Sequence, residues 1–264
     1  MGGVITSRVI VQRLSSYEWP ACSLILDDKK VFAVARLLYA LRQSIDDLKA
    51  YYGMLKKLTV IPGHVHPRFC PSISSFHDAL TESVVDFTYI APLELDPRFV
   101  TFKAIRQDTH KTIVIEFVRR YGKEAHKWMA EHGQAPRLIQ FEALGSDYDD
   151  MNLVVMDYVV GHTLQTLYPD ELPPDVRSGV ESALDVLTNG GFLFGDLRKQ
   201  NVMLADGSDP IARRIRFIDF DWAGKEGPDL RYPFHLSSFV RDLSGASDYD
   251  QMPREHQDRM FESF

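Results

Sequence analysis

Three polar side chains in the second half of the chain stand at spacings that could carry phosphoryl transfer. Asp196 and Asn201 lie five residues apart, Asp219 follows eighteen residues later, and Asp221 lies two beyond it. Each acid comes just past an apolar run. Phe192-Leu193-Phe194 precedes Gly195-Asp196, and Ile215 to Ile218 precedes Asp219-Phe220-Asp221, with Val202-Met203-Leu204 and a turn at Asp206-Gly207 between them. Moving a phosphoryl group requires a carboxylate to orient the attacking hydroxyl, and a carboxylate with an amide oxygen to hold magnesium on the phosphates. Asp196 suits the first task; Asn201 and Asp219 suit the second. Taken singly, each residue reads as a turn former or helix cap. Their joint spacing, each set by an apolar strand, favours the chemical reading.

These residues need a scaffold, and the preceding sequence supplies strand-like runs. Val84 to Ile90, Phe99 to Ile105 and Thr112 to Val118 read as three strands, the last two joined by a turn at Asp108 to Lys111. Arg120 to His132 reads as a short helix ended by Gly133. Leu138 to Ala143 and Leu153 to Met156 complete five strands. Val176, Val180, Leu184 and Leu187 then mark a helix leading into the acid-bearing loop.

The first 83 residues read as an extension. Val4-Ile5 and Val9 to Val11 suggest strand, and Lys30 to Leu58 forms a long amphipathic helix, with Asp27 and Asp28 at its start and Pro62-Gly63 ending it. Its stripe (Val34, Leu37, Leu38, Leu41, Ile45, Leu48, Tyr52, Leu55) is expected to pack in a core. Residues 61 to 83 are expected to form a connecting loop. His64, His66 and His77 lack the acid or Cys that would complete a metal set. A polar turn at Ser244 to Ser247 and a short helix after Pro253 close the chain.

Composition narrows the classes. A chain of 264 residues, 45% hydrophobic and 25% charged, can build one two-lobed domain. A net charge of −7 argues against a broad grip on nucleic acid, and no apolar run is long enough to span a bilayer, so cytosol or nucleus is the expected location. Cys22 and Cys70 are expected to be buried thiols.

Asp196-Leu197-Arg198-Lys199-Gln200-Asn201, followed by a hairpin and Asp219-Phe220-Asp221, resembles the catalytic loop and metal segment of the protein kinase superfamily. Arg120 to His126 with Ala135 to Leu138, and Ile218 to Gly224 ahead of Arg231-Tyr232-Pro233, resemble the kinase-like domains of filamentous and mushroom-forming fungi. Gly195-Asp196 and Asp-Phe-Asp also look like small-molecule kinases of the aminoglycoside and choline type. The resemblance implies an α+β, two-lobed fold: an extension over 1–83, a five-stranded N-lobe over 84–160, and a reduced, mainly helical C-lobe over 161–264. It further implies ATP and Mg2+ as cofactors and a protein or small molecule as acceptor, with no nucleic acid or membrane partner. Met156, Asp157, Tyr158 and Val159 would be the adenine-binding hinge, Asp196 the catalytic acid, and Asn201, Asp219 and Asp221 the metal ligands. Oligomeric state stays open.

The departures cut the other way. Aligning Ile113 to Val118 with the third kinase strand puts Glu116 where a Lys should meet the phosphates, so Glu124, the expected helix acid, loses its partner. At about 4 Å and an effective dielectric of roughly 20, two like charges repel by about 4 kcal/mol, which lowers affinity several hundredfold or more. Lys103 on the second strand is a possible replacement. Tyr89 to Arg98 has no Gly to fold over phosphates, Phe194 and Gly195 replace the usual His and Arg, Asp221 replaces a Gly, and no A-P-E segment follows. Two classes therefore remain, a Mg-dependent phosphotransferase and a pseudokinase binding or scaffold module.

Overall fold

The computed structural model describes residues 2–5, 9–12, 28–54, 70–79, 81–93, 100–148, 150–234 and 236–264. They fall into two units, Met1–Pro71 and Ser72–Phe264. In the first, β1 (Gly2–Ile5) and β2 (Val9–Gln12) form an antiparallel hairpin, and α1 runs Asp28–Met54. Pro62-Gly63, Asp27, His64, His66 and Cys22 lie outside the described residues. The stripe expected to be buried on α1 is open: Leu38 is 59% exposed, and Leu37, Leu41, Ile45 and Tyr52 are exposed as well, with only Val34 and Leu48 half-buried. Helical periodicity had specified an apolar face without specifying what covers it.

The second unit opens with an antiparallel sheet. Its strands are β3 (Ser75–Asp78), β4 (Ser83–Pro92), β5 (Thr101–Arg106), β6 (Thr112–Val118), β7 (Leu138–Ala143) and β8 (Asn152–Asp157), in the order β3-β4-β5-β6-β8-β7. Five are the expected strands. The sixth, β3, replaces part of the loop expected over 61–83, and exposed His77 is one of its residues.

Arg106 holds this added strand. Its Nη2 lies 2.8 Å from Asp78 and 2.6 Å from Asp108, with the Arg106 and Asp78 side chains almost fully buried. Beside them, Phe76, Phe87, Tyr89, Phe102 and Phe117 meet in sequence at ring-centroid distances of 5.1 to 6.4 Å. One face of β6 (Ile113, Ile115, Phe117) joins this core. The other bears Val114, Glu116 and Val118, and β6 is buried on both sides.

α2 (Lys123–Glu131) follows β6, shorter than expected because Gly122 is docked by its N–H to Phe220 O at 2.8 Å. A Cβ on Gly122 would lie 2.4 Å from Ala223 O, so only glycine permits that approach. The rest is mainly helical: α3 (Leu164–Leu167), α4 (Pro174–Asn189), α5 (Ile211–Arg214), α6 (Ser238–Ser244) and α7 (Arg254–Glu262). α6 was not anticipated from sequence. Short strands β9 (Gly161–Thr163), β10 (Phe192–Phe194), β11 (Val202–Ala205), β12 (Ile215–Phe217) and β13 (Ala223–Lys225) form two small sheets, β12-β11-β9 and β10-β13. Pro174 at the first position and Asp175 in the first turn suit the N-terminus of α4, and its Val176, Val180, Ala183, Leu184 and Leu187 form the core beneath β10 to β12. Phe194 N–H donates to Gln257 Oε1 at 2.8 Å, tying β10 to α7.

No described helix is long and apolar enough to cross a membrane, and Cys70 is a buried free thiol. Removing Asp78 leaves the buried Arg106 guanidinium with one partner fewer. Asp78→Ala is expected to cost on the order of 3 kcal/mol, read as a lower urea midpoint at unchanged m.

Candidate active site

Backbone bonds and packing fix the acid-bearing loop before any charge is considered. Gly195 N–H donates to Trp222 O at 2.8 Å, and a Cβ there would lie 2.8 Å from that same backbone oxygen, so a larger residue would force the two segments apart. Leu197 is fully buried. Lys199, also buried, donates from Nζ to Asp170 O at 2.6 Å and Tyr168 O at 3.3 Å, which commits it to holding the loop.

Within this frame Asn201 Nδ2 donates to the main-chain oxygen of Asp196 at 2.9 Å and to its Oδ2 at 3.0 Å. Asp196 is 5% exposed and also pairs through Oδ2 with Arg198 Nη2. Burial pushes its carboxyl up, and Arg198 and Asn201 oppose that shift. Ile218 N–H donates to Asn201 O at 3.0 Å, placing Asp219 directly opposite the loop. Asp219 has φ 62°, the left-handed region a non-glycine residue enters at a cost. Asp219 and Asp221 each offer a carboxylate oxygen that lies, with one from Glu116, in a set spanning no more than 4.8 Å. Asp221 is held well above the usual carboxylate range by burial first, then by Asp219 and Asp196, with Arg120 opposing. The half-buried Tyr121 has its hydroxyl raised as well, by desolvation first and then by Glu116, Asp221 and Asp219.

A cleft of about 480 Å³ runs from this cluster to the end of β8. Thr101, Val114, Glu116, Met156, Asp157, Tyr158, Val159, Asn201 and Asp219 line it, and among the described lining residues Arg198 is the one cation. The N–H groups of Asp157 and Tyr158 donate to Arg137 O at 3.0 Å and Thr112 O at 3.4 Å. The Val159 N–H makes no backbone hydrogen bond among the described residues. The Asp157 side chain is spent on a surface pair with Arg137 at 3.1 Å.

Two expected residues are not brought to the acids. Glu124 is exposed on α2, whose buried face is Ala125, His126 and Met129. The 3.6-residue period of that helix turns Glu124 outward. Lys103 pairs with Val114 in register, two pairs beyond Thr101 and Glu116, and its Nζ sits 4.2 Å from the Tyr158 ring centroid at the β8 end of the cleft. Arg198 and His126 are residues that sequence reasoning missed. Arg198 was signalled by standing two positions after Asp196. The His126 ring stacks on Phe220 at 4.5 Å with 4° between planes, and Phe194 meets Phe220 edge-on at 5.4 Å.

No protein-family model matches the chain. Over 131 residues it is 28% identical to the Clostridium perfringens (strain 13 / Type A) protein named "Probable serine/threonine-protein kinase", a match covering 47% of this chain and 18% of that one. The chain thus spans about a fifth of the length of that curated relative. Among solved structures, the Cydia pomonella granulovirus kinase PK-1 superposes with a TM-score of 0.50 at 14% identity, over 66% of this chain and 65% of that one. The fold is that of a protein kinase. On this kinase-like fold the cleft lies between the six-stranded sheet and the loop that carries Asp196 and Asn201.

His126 makes the site's support sensitive to acid. Its Nε2 lies 2.7 Å from Pro136 O, an acceptor only, so Nε2 carries the proton and Nδ1 accepts from Tyr121 Oη at 2.6 Å. Burial holds this neutral imidazole down to about 4, from 6.5. Between those values the unfolded chain takes up a proton that the native state refuses, so stability is full above about 6.5 and falls as pH drops toward 4. The loss is expected to be about 3 kcal/mol at the rate of about 1.4 kcal/mol per unit. Urea titrations from pH 7 to 4 should show a shallower slope for His126→Gln than for the wild type.

Proposed function

We propose that this chain is a kinase-type phosphotransferase that moves the terminal phosphoryl group of ATP to a hydroxyl of a protein or small molecule. The supporting observation is the Asp196–Asn201 pair facing Asp219 across the floor of the cleft. Asp196, buried and anchored by Asn201 and Arg198, orients the acceptor hydroxyl and takes its proton as the new oxygen–phosphorus bond forms. Its raised proton affinity suits that task. Val159 N–H, without a backbone acceptor, offers adenine a hydrogen bond, while Met156 and Val114 flank the ring. Arg198 brings a positive charge to the cleft wall beside the acceptor position. The oxygens of Asn201, Asp219 and Asp221 fit Mg2+, which when bound neutralises charge on the phosphates.

Lys103, stacked on Tyr158, is placed to serve the base end of a nucleotide. The fungal-type and aminoglycoside or choline-type resemblances leave protein and small-molecule acceptors both in play.

A second reading, a nucleotide-impaired pseudokinase, is favoured by Glu116, buried at the position where a kinase lysine is expected. Thermal unfolding separates the two. Mg·ATP at about a hundred times its Kd should stabilise the wild type by roughly 2.7 kcal/mol, and Asp219→Ala should lose that shift. Asp196→Ala should keep the shift yet lower phosphoryl transfer by on the order of 10²–10⁴. A wild type that shifts but transfers no more than Asp196→Ala belongs to the pseudokinase class. Lys103→Ala is expected to raise KM for ATP with kcat unchanged; loss of kcat instead would give Lys103 the phosphate-binding role of the missing strand lysine.

A further inference from the structure

The exposed stripe of α1 has a finer order than helical periodicity requires. Val31, Val34, Leu38, Leu41, Ile45, Leu48 and Tyr52 follow one another at steps of three and four residues in strict alternation. That is a repeat of 3.5, the period of a seam between helices wound on each other; a helix laid on a globular core follows 3.6 and widens its stripe to a third position. In heptad terms Val31, Leu38, Ile45 and Tyr52 hold position a, and Val34, Leu41 and Leu48 hold position d. All four a residues are exposed, from 40% at Tyr52 to 59% at Leu38, and Leu41 is exposed with them. On the opposite side of the helix stand Arg36, Gln43 and Ala50.

We propose that α1 pairs in parallel with α1 of a second copy of this chain, as a two-stranded coiled coil. The area is sufficient. At roughly 60–120 Å² of apolar surface per fully covered side chain, the seven seam residues bury about 400–800 Å² on each copy, and a stable interface takes about 800 Å² per partner. Leu37 and Tyr51, exposed beside the seam, add to that area. The seam composition selects two strands, because β-branched residues at a (Val31, Ile45) with leucine at d (Leu41, Leu48) favour a dimer over higher states. The flanks select the direction. One flank carries Ala35, Arg42 and Lys49, the other Leu37, Ser44 and Tyr51. Antiparallel helices would set the basic flank against itself. Parallel helices set it against the neutral one, Leu37 beside Arg42 and Ser44 beside Lys49 of the second copy, so the arginine stem lies on apolar surface and no like charges meet. Lys49 has Asp46 of its own helix at 3.7 Å in either arrangement. The pairing is independent of whether the chain transfers phosphoryl groups.

Sedimentation equilibrium of the full chain reads the pairing directly. The wild type is expected at twice its chain mass of 30.2 kDa. Leu41→Lys combined with Ile45→Lys should sediment as single chains, with the dimer Kd raised at least about a hundredfold. Gln43→Lys, which adds the same charge on the far side of the helix, should remain dimeric. In a Cys22→Ser background, Leu48→Cys should cross-link two copies under mild oxidation, since parallel pairing sets position 48 against position 48. A dimer that survives the double lysine variant, a dimer that does not cross-link at position 48, or a species of three or four chains overturns the proposal. A monomeric wild type overturns it as well: a lowered urea midpoint in the double variant would then assign the stripe to the chain's own core, and co-sedimentation with phosphatidylserine vesicles would assign it to a membrane surface.

Discussion

The position of the acids depends on one stack of rings. Phe220 lies between Asp219 and Asp221 in sequence, so wherever its ring packs, the two carboxylates follow. That ring is clamped between His126 from α2 and Phe194 from β10, while its carbonyl oxygen receives the Gly122 N–H. The contact joins the sheet lobe to the helical lobe at the base of the cleft. It also dictates the protonation of His126, because an imidazole buried against a phenyl ring with both nitrogens hydrogen-bonded has no water to stabilise a charge. Here the polar edge of the imidazole adds two bonds, to Tyr121 and Pro136, so one side chain aligns the start of α2 and the approach to β7.

Holding several carboxylates in a partly dry cleft sets the second constraint. Burial and mutual repulsion both favour the protonated forms, and the directions at Asp196 and Asp221 reflect burial as the larger cause. Among the described residues, two cations act on Asp196 and Asp221 from short range: Arg198, two residues from Asp196, and Arg120 from the loop before α2. Both come from loops, and the cleft face of β6 carries Glu116 between Val114 and Val118.

Much of this was legible in the sequence because it rests on local period and spacing. The alternating or apolar runs of β4 to β8, the stripe of α4, and the Asp196–Asn201–Asp219 spacing all appear in the structure within a few residues of their expected places. What was not legible depends on distant partners. β3 is four residues in a His- and Pro-rich stretch, and its buried Asp78 finds Arg106 at 28 positions' remove. The exposure of the α1 stripe likewise concerns what does or does not pack on it. Glu124 is a different kind of miss. The family pattern suggests an acid there, but the helical phase that buries Ala125, His126 and Met129 turns Glu124 outward.

Register on β5 closes the argument about where the phosphates could find positive charge. Thr101 and Lys103 project from the same face of that strand, and Thr101 is the one paired with Glu116. Two residues of strand advance the chain by about 6.7 Å, so the ammonium of Lys103 is carried to the hinge end, where it lies over Tyr158. A lysine at position 101 would have faced Glu116 directly. Position 103 instead pairs with Val114, on the part of the cleft wall that continues to Met156. The sheet thus presents its lysine to one end of the cleft and its carboxylate to the other. Among the described residues, the positive charge lining the cleft stands on the opposite wall, at Arg198.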